Sequence, residues 1–356
     1  MPRERAGAFA PGRVNLIGEH TDYNLGLALP FAVSEGVTVR AQAADPASPD
    51  AQRIYAHARD LGQSDEFALS EVSPALGWRA FVRGTVAELS RAGYPLVGAR
   101  LQITGGLQRG AGLSSSAALE VALCLALIAL GSSARAAEPQ ALERVALARL
   151  CARVENDWVG AQTGLLDQLA SLCGAAETAL LIDFRSLQID PVPLRLGDWR
   201  FVVLDSGERH ANASSGYNER RAECLRACRL LGIDSLRQAS PEELEQLPEP
   251  LRARAEHVLG ENARVREAVA ALRSDELSAL GTLLNASHES LRDRYEVSTP
   301  RVESTRERLI RAGASGARLI GGGFGGSLLA LFAPGVPPPP QARVVRPGPG
   351  AHLLAD

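Results

Sequence analysis

Residues 110–119 read Gly-Ala-Gly-Leu-Ser-Ser-Ser-Ala-Ala-Leu and run straight into an apolar stretch that continues to residue 130. Glycines followed by small hydroxyl residues leave a row of backbone N–H groups open at the start of a helix. Those donors and the positive end of the helix dipole form an anion site. Capping a helix needs one hydroxyl, and three consecutive serines behind Gly110 and Gly112 go beyond that and point to phosphate. The helix contains Glu120 and falls short of the roughly 20 residues of a bilayer span, so it is expected to be buried in protein. One large class of phosphate-binding fold is closed to it. All 38 basic residues are arginine, whereas a Walker-type P-loop depends on its lysine.

A second concentration of chemistry lies at 10–24, Ala-Pro-Gly-Arg-Val-Asn-Leu-Ile-Gly-Glu-His-Thr-Asp-Tyr-Asn. Arg13, Glu19, His20 and Asp22 crowd together beside Pro11, Gly12 and Gly18, which break any helix. The polar groups are therefore expected on turns around the short apolar run at 14–17. Loops carried by a rigid element suit recognition of a ligand with many hydroxyls; a polar loop of chance composition is the alternative. A third segment, 159–168, sets Asp167 among apolar neighbours, either as a helix N-cap or as a partly buried carboxylate with a task. A neighbouring guanidinium keeps a carboxylate ionised as a proton acceptor, and Arg13 is the candidate. The glycine cluster at 321–326 satisfies G-x-G-x-x-G, yet the run after it is strand-like, which argues against a dinucleotide site. A tight turn between two strands, supporting the site by close backbone approach, fits it better.

At 356 residues the chain exceeds the size at which one core keeps growing, so two domains are expected. The boundary is placed near 173: residues 1–173 carry the polar cluster, the phosphate loop and the acid segment, and 174–356 carry the third glycine motif and a Pro-rich tail. With 46% apolar residues, a net charge of −3 and arginines interspersed with acids, a nucleic-acid or anionic-membrane surface is excluded. The five cysteines form no C-x-x-C pair, and Cys224 and Cys228 lack the partners of a metal site. A reducing, cytoplasmic setting is expected, there being no apolar leader at the N-terminus. Strands are expected over 36–43, 99–104, 178–183, 201–205, 317–320 and 327–332. Helices are expected over 79–92, 116–130, 140–154, 217–231, 251–274, 275–291 and 300–312. That mixture is α+β rather than a regular βαβ alternation.

The run at 10–24 resembles the N-terminal signature of galactokinases, within the GHMP family of small-molecule kinases. The phosphate loop, the acid segment and the glycine motif follow in that family's order, from about residue 9 to residue 331. The resemblance implies a two-domain, GHMP-kinase-like α+β fold of mixed sheets and helices with the active site in the cleft between domains. It implies phosphorylation of the anomeric hydroxyl of galactose by ATP with Mg²⁺. Asp167 would accept that hydroxyl's proton while Arg13 orients it, and Arg209 would offset transition-state charge. Glu19, His20, Asp22, Gly164 and Tyr217 would form the sugar site, with Glu19 and His20 at the terminal hydroxymethyl. Gly110, Ala111, Gly112, Leu113, Ser114, Ser115 and Ser116 would hold the ATP phosphates, and Trp78 would border adenine. Ser116, or Ser115, and Glu155 would face Mg²⁺. Gln108 and Arg109 depart from the family's loop entry. On their own, Glu155 is a surface residue of the helix at 147–158, Arg209 a turn residue, Tyr217 a helix-start residue and Trp78 a core residue. Phosphorylation of N-acetylgalactosamine or arabinose, and a non-catalytic sensor, stay as alternatives, although the intact loop and Asp167 favour an enzyme. A monomer with no protein partner is expected.

Overall fold

The computed structural model describes residues 3–107, 112–132, 141–161, 163–208 and 213–355, without the side chains at 141, 142 and 213–215. The strands are β1 (Arg5–Asn15), β2 (Leu27–Ala28), β3 (Pro30–Ala43), β4 (Arg53–Ala58), β5 (Gln63–Ala68), β6 (Ala99–Gly105), β7 (Thr178–Asp183), β8 (Gln188–Pro193), β9 (Arg200–Asp205), β10 (Ala314–Ile320), β11 (Ser327–Phe332), β12 (Arg343–Val345) and β13 (His352–Leu353). The helices are α1 (Trp78–Arg91), α2 (Ser115–Gly131), α3 (Ala141–Arg153), α4 (Leu166–Cys173), α5 (Ala213–Leu231), α6 (Pro241–Leu244), α7 (Leu251–Arg273), α8 (Leu277–Asp293) and α9 (Pro300–Arg311).

One sheet has the order β13-β1-β3-β6-β4-β5, antiparallel apart from the parallel pair β4–β6. Helix α2 packs on β1 and β3 and is apolar nearly all round, Glu120 being its one buried charge, which a helix can be only when protein surrounds it. A second sheet, β10-β11-β9-β12, carries α8 and α9 against β10, and a small third sheet joins β2, β7 and β8. Apolar residues gather in two cores, one centred on the first sheet and α1–α4 and extending to Phe201, Leu329 and Leu331 of the second sheet, the other around Leu204, Leu291, Tyr295 and Phe332. The mixed α+β architecture follows the expectation.

The polar run departs from it, and the Pro-rich tail, on which the sequence is silent, takes a place in both large sheets. The polar run does not begin on a turn: Arg13 lies within β1, which pairs with β3 through a register shift between Pro11 and Arg13. Small residues such as Ala6, Ala8 and Ala10 hide the strand's periodicity, and pairing on both edges makes the strand. The Pro-rich tail also proves structured after its turns, since β12 pairs with β9 and β13 with β1, one in each large sheet. Gly12 explains why β1 lies so close to α2: a Cβ there would come within 2.4 Å of the Leu113 carbonyl.

Candidate active site

Arg13 joins the elements of the site. Its Nε donates to Asp167 Oδ1 at 2.7 Å, its Nη1 to the Gly112 carbonyl at 2.8 Å, and its backbone N–H to the Leu113 carbonyl at 3.1 Å. Burial works against the cation, but attraction to Asp167 and Glu19 more than offsets it, and the Arg13 pKa is raised. Asp167 stands in the first turn of α4, after Leu165 at the N-cap position, so it does not cap the helix. Its second oxygen accepts from the hydroxyl of Ser114, a residue held in left-handed conformation before α2. With Ser114 turned to Asp167, Ser115 and Ser116 are the hydroxyls that line the neighbouring cavity.

Beyond α3 the chain makes a π-helical turn, Val154–Val159, which carries Glu155 inward instead of onto the surface. Its carboxylate accepts from Thr163 Oγ1 at 2.7 Å and from Gln168 Nε2 at 2.9 Å, and Ser116 also bonds to it. Burial, and then the Asp167 charge, raise its pKa. Among the described residues no group of three His, Cys, Asp or Glu is placed to hold a metal. Mg²⁺ ordinarily takes only one or two protein oxygens, with phosphate and water for the rest. Glu155 with Ser116 fits that requirement.

A cavity of about 290 Å³ opens beside Asp167, lined by Arg13, Glu19, His20, Asp22, Gly164, Tyr217, Asn218 and the glycines Gly321, Gly322 and Gly323. Glu19 accepts from the Gly321 N–H at 2.9 Å and faces Arg318 Nη2 at 3.4 Å. Arg318, fully buried in β10, also donates Nη1 to the carbonyls of Asn15 and Leu16. Burial raises the Glu19 pKa, with Arg318 and Arg13 pulling against it. The loop behind is fastened by Glu261, whose Oε1 accepts from the Gly18 N–H at 2.9 Å and from Ser287 at 2.7 Å. Although Glu261 is buried, Arg264, His257 and Arg318 bring its pKa down to about 2.

His20 sits at φ +63, a left-handed conformation unusual for a residue with a side chain, as happens where a site dictates backbone geometry. Burial, with His257 and Arg220 nearby, lowers its pKa to about 3, so the ring is neutral at ordinary pH. Asp22 is pushed up to about 6, chiefly by burial. A Cβ on Gly164 would lie 1.9 Å from Asp22 Oδ2, so only glycine leaves room for that carboxylate. Tyr217, on α5, covers His20 with ring centroids 5.3 Å apart.

The second cavity, about 590 Å³, starts at Ser115 and Ser116 and runs between Trp78, Phe81, Val37, Ile103, Leu107 and Leu119. Its walls are mostly apolar, with Asp60 and Gln63 among them and the start of α2 at one limit. Trp78 borders it, its indole N–H donating to Gln63 at 3.0 Å. The structure therefore brings together Arg13, Glu19, His20, Asp22, Gly164, Asp167 and Tyr217 in one cavity, and Ser115, Ser116 and Trp78 in the next, with Glu155 bonded to Ser116. Gly112 and Leu113 contribute through their carbonyls. Arg209, Gly110 and Ala111, with Gln108 and Arg109, lie outside the described residues. Sequence reasoning missed Arg318, Glu261, His257, Thr163 and Gln168. For Arg318 a signal existed, a lone charge inside the strand-like run Gly-Ala-Arg-Leu-Ile; for the others local sequence carries none.

Known proteins are similar to this chain in sequence and fold. Residues 2–43 match the galactokinase galactose-binding signature, 80–175 the N-terminal domain of GHMP kinases and 268–346 the GHMP C-terminal domain. The galactokinase of Mycobacterium tuberculosis strain H37Ra is 44% identical over 330 residues, which cover 90% of this chain and 87% of that protein. The galactokinase of Thermotoga petrophila is 39% identical, over 92% of this chain and 89% of its own. The crystal structure of Lactococcus lactis galactokinase complexed with galactose superposes with a TM-score of 0.87 at 34% identity, covering 98% of this chain and 95% of that one. Sequence and fold agree, and the chain belongs to the galactokinase family of GHMP kinases.

Proposed function

We propose that the chain transfers the γ-phosphoryl group of ATP to the anomeric hydroxyl of galactose, giving α-D-galactose 1-phosphate and ADP. The observation that carries the reading is the junction at Asp167. Its carboxylate lines the sugar cavity, bonded to Arg13 on one oxygen and on the other to Ser114, the residue before the phosphate-binding helix. A hydroxyl bound there meets a base on one side and a phosphate donor on the other. Asp167 accepts the hydroxyl proton, using lone pairs that Arg13 and Ser114 leave open. Arg13 orients the carboxylate and offsets charge on the reacting oxygens; phosphoryl transfer asks mainly for such positioning and neutralisation. Glu19, His20 and Asp22 bond the sugar's hydroxyls, with Gly164 and Tyr217 shaping the wall.

ATP lies with its base between Trp78 and Phe81 and its phosphates on the amides at the start of α2. Ser116 and Glu155 would hold Mg²⁺, which supplies charge neutralisation on the phosphates when bound. The two halves, 1–173 and 174–356, act as lobes that meet at the sugar cavity. The enzyme works as a monomer in a reducing, cytoplasmic compartment, a reading supported by five cysteines that are all free thiols. No helix among the described residues is long and apolar enough to cross a membrane.

The test is a coupled ADP-release assay with galactose, N-acetylgalactosamine and arabinose, each with and without Mg²⁺. We expect turnover to be highest with galactose and to vanish on chelation. Higher turnover with either other sugar, or tight galactose binding without ADP release, overturns the assignment.

A further inference from the structure

Behind His20 lies a line of hydrogen-bonding groups that the reaction does not use. His20 Nδ1 is 2.8 Å from Tyr23 Oη, which is 2.9 Å from Tyr295 Oη, which is 3.1 Å from Cys224 Sγ. The line ends at Asn24, whose amide donates to Cys224 Sγ at 3.6 Å and to the His20 carbonyl at 2.9 Å. Tyr295 is fully buried, its ring packed between those of His20 and His257. His20 Nε2, the other ring nitrogen, is buried and has no hydrogen-bond partner in a ring that lines the sugar cavity.

An amide N–H can only donate, so Asn24 donates to Cys224 sulfur at one end of the line. With the Cys224 S–H directed to Tyr295, the Tyr295 hydroxyl donates to Tyr23 and the Tyr23 hydroxyl to His20 Nδ1. The reverse order would make one sulfur, a weak acceptor, take two protons at once. A neutral imidazole that accepts at Nδ1 carries its proton on Nε2.

We propose that Asn24, Cys224, Tyr295 and Tyr23 position His20 as the Nε2–H tautomer, so that the sugar cavity sets an N–H donor beside the carboxylate acceptor of Glu19. The pair then selects a group that accepts from His20 and donates to Glu19 through the same atom. A hydroxyl does both; an ether or fluorine only accepts, and a deoxy carbon does neither. Tyr295 and Tyr23 are positioning residues, acting through His20. The inference rests on the sugar-site reading above, and extends it to how the terminal hydroxymethyl is recognised.

The first test needs no substitution of the line. Nitrogen-15 NMR of the ligand-free full chain, labelled at histidine, reports which ring nitrogen carries the proton, with the His20 signals assigned by their loss in His20→Gln. We expect Nε2–H for His20; a proton on Nδ1, or an averaged signal from both tautomers, overturns the proposal. The second test is kinetic. Tyr295→Phe should raise the KM for galactose about three- to tenfold, as for one lost hydrogen bond, and leave kcat nearly unchanged. It should not move the KM for 6-deoxygalactose, which lacks the hydroxyl. Equal rises for both sugars would mean that Tyr295 merely supports packing, and would overturn the inference. If Tyr295→Phe does not fold, the tautomer of the native chain still decides. A chain that does not phosphorylate galactose at all sinks the functional reading while the NMR result stands, so the two failures are distinguishable.

Discussion

In the sugar cavity the polar side chains are already bonded to other protein groups: Arg13 to Asp167, Glu19 to the Gly321 N–H, His20 to Tyr23, while in the adjacent cavity the walls are Val37, Trp78, Phe81, Ile103 and Leu107. The first draws residues from β1, α4, α5 and the β10–β11 turn, and Arg318 of the second sheet reaches across to the loop after β1. The second is walled mainly by the first sheet with α1 and α2. On the proposed assignment, the contrast follows the two substrates. Epimers of a sugar differ in where hydroxyls point, and only fixed polar partners tell them apart, because a mismatched hydroxyl leaves a buried group unpaired. A nucleotide offers a flat ring and phosphates, which apolar walls and backbone amides hold with little preorganised charge. Damage to the first cavity should therefore spread, and damage to the second should stay local.

The sharpest break in that comparison is at the junction. Asp167→Asn should lower kcat by about 10²- to 10⁴-fold with little change in ATP affinity by calorimetry. A parallel loss of ATP binding would make Asp167 a structural residue instead. Next comes Arg318→Leu, which removes from the buried Glu19 the stronger of its two cations, leaving Arg13. Breaking a buried pair on one side costs about 3–5 kcal/mol, seen as a lower melting temperature together with a higher galactose KM. Glu19→Gln added to Arg318→Leu should restore part of the stability and none of the affinity. Gly164→Ala drives a methyl group into the Asp22 carboxylate and should weaken catalysis with galactose by up to ~10²-fold, while the KM for ATP holds. An unchanged galactose KM would show that the wall moves freely.

Asp22 provides a test by pH. Its pKa is raised to about 6, so below that pH it is protonated and loses an acceptor. The galactose KM should be flat above neutrality and climb as pH falls through about 6, and Asp22→Asn should remove the slope while raising KM throughout. The stability sign is opposite. A carboxyl whose folded pKa exceeds its unfolded value of about 3.9 destabilises the empty protein as pH rises toward 6. Asp22→Asn should thus melt higher than the native chain near neutral pH. The smallest effect belongs to the other cavity: Trp78→Leu should raise the KM for ATP about three- to tenfold, as for one lost ring contact, and leave the sugar kinetics alone. A shift in galactose KM there would blur the distinction between the two regions.

Much of this was legible from sequence, and for local reasons. Helix α2, the turn at 321–326 between β10 and β11, and the strands at 178–183 and 327–332 follow from backbone propensity and from glycine, serine and apolar patterning, which neighbours in the chain decide. Arg13, Glu19, His20, Asp22 and Asp167 also announced themselves, as polar groups where apolar or turn residues would serve. What no local pattern held was which group meets which. Arg13 and Asp167 are 154 residues apart and Glu19 and Gly321 are 302 apart, so their contacts depend on how β1 seats against α2 and how β10 is placed on its sheet. The same holds for Ser114, whose hydroxyl meets Asp167, for Glu155, drawn inward by a π-turn, and for β1, whose small residues become a strand only by pairing. Sequence determined the chemistry on offer, because side-chain type and backbone freedom are properties of single residues. Tertiary structure decided its use, because burial and hydrogen bonding are properties of pairs that only a packed chain brings within 3 Å of one another.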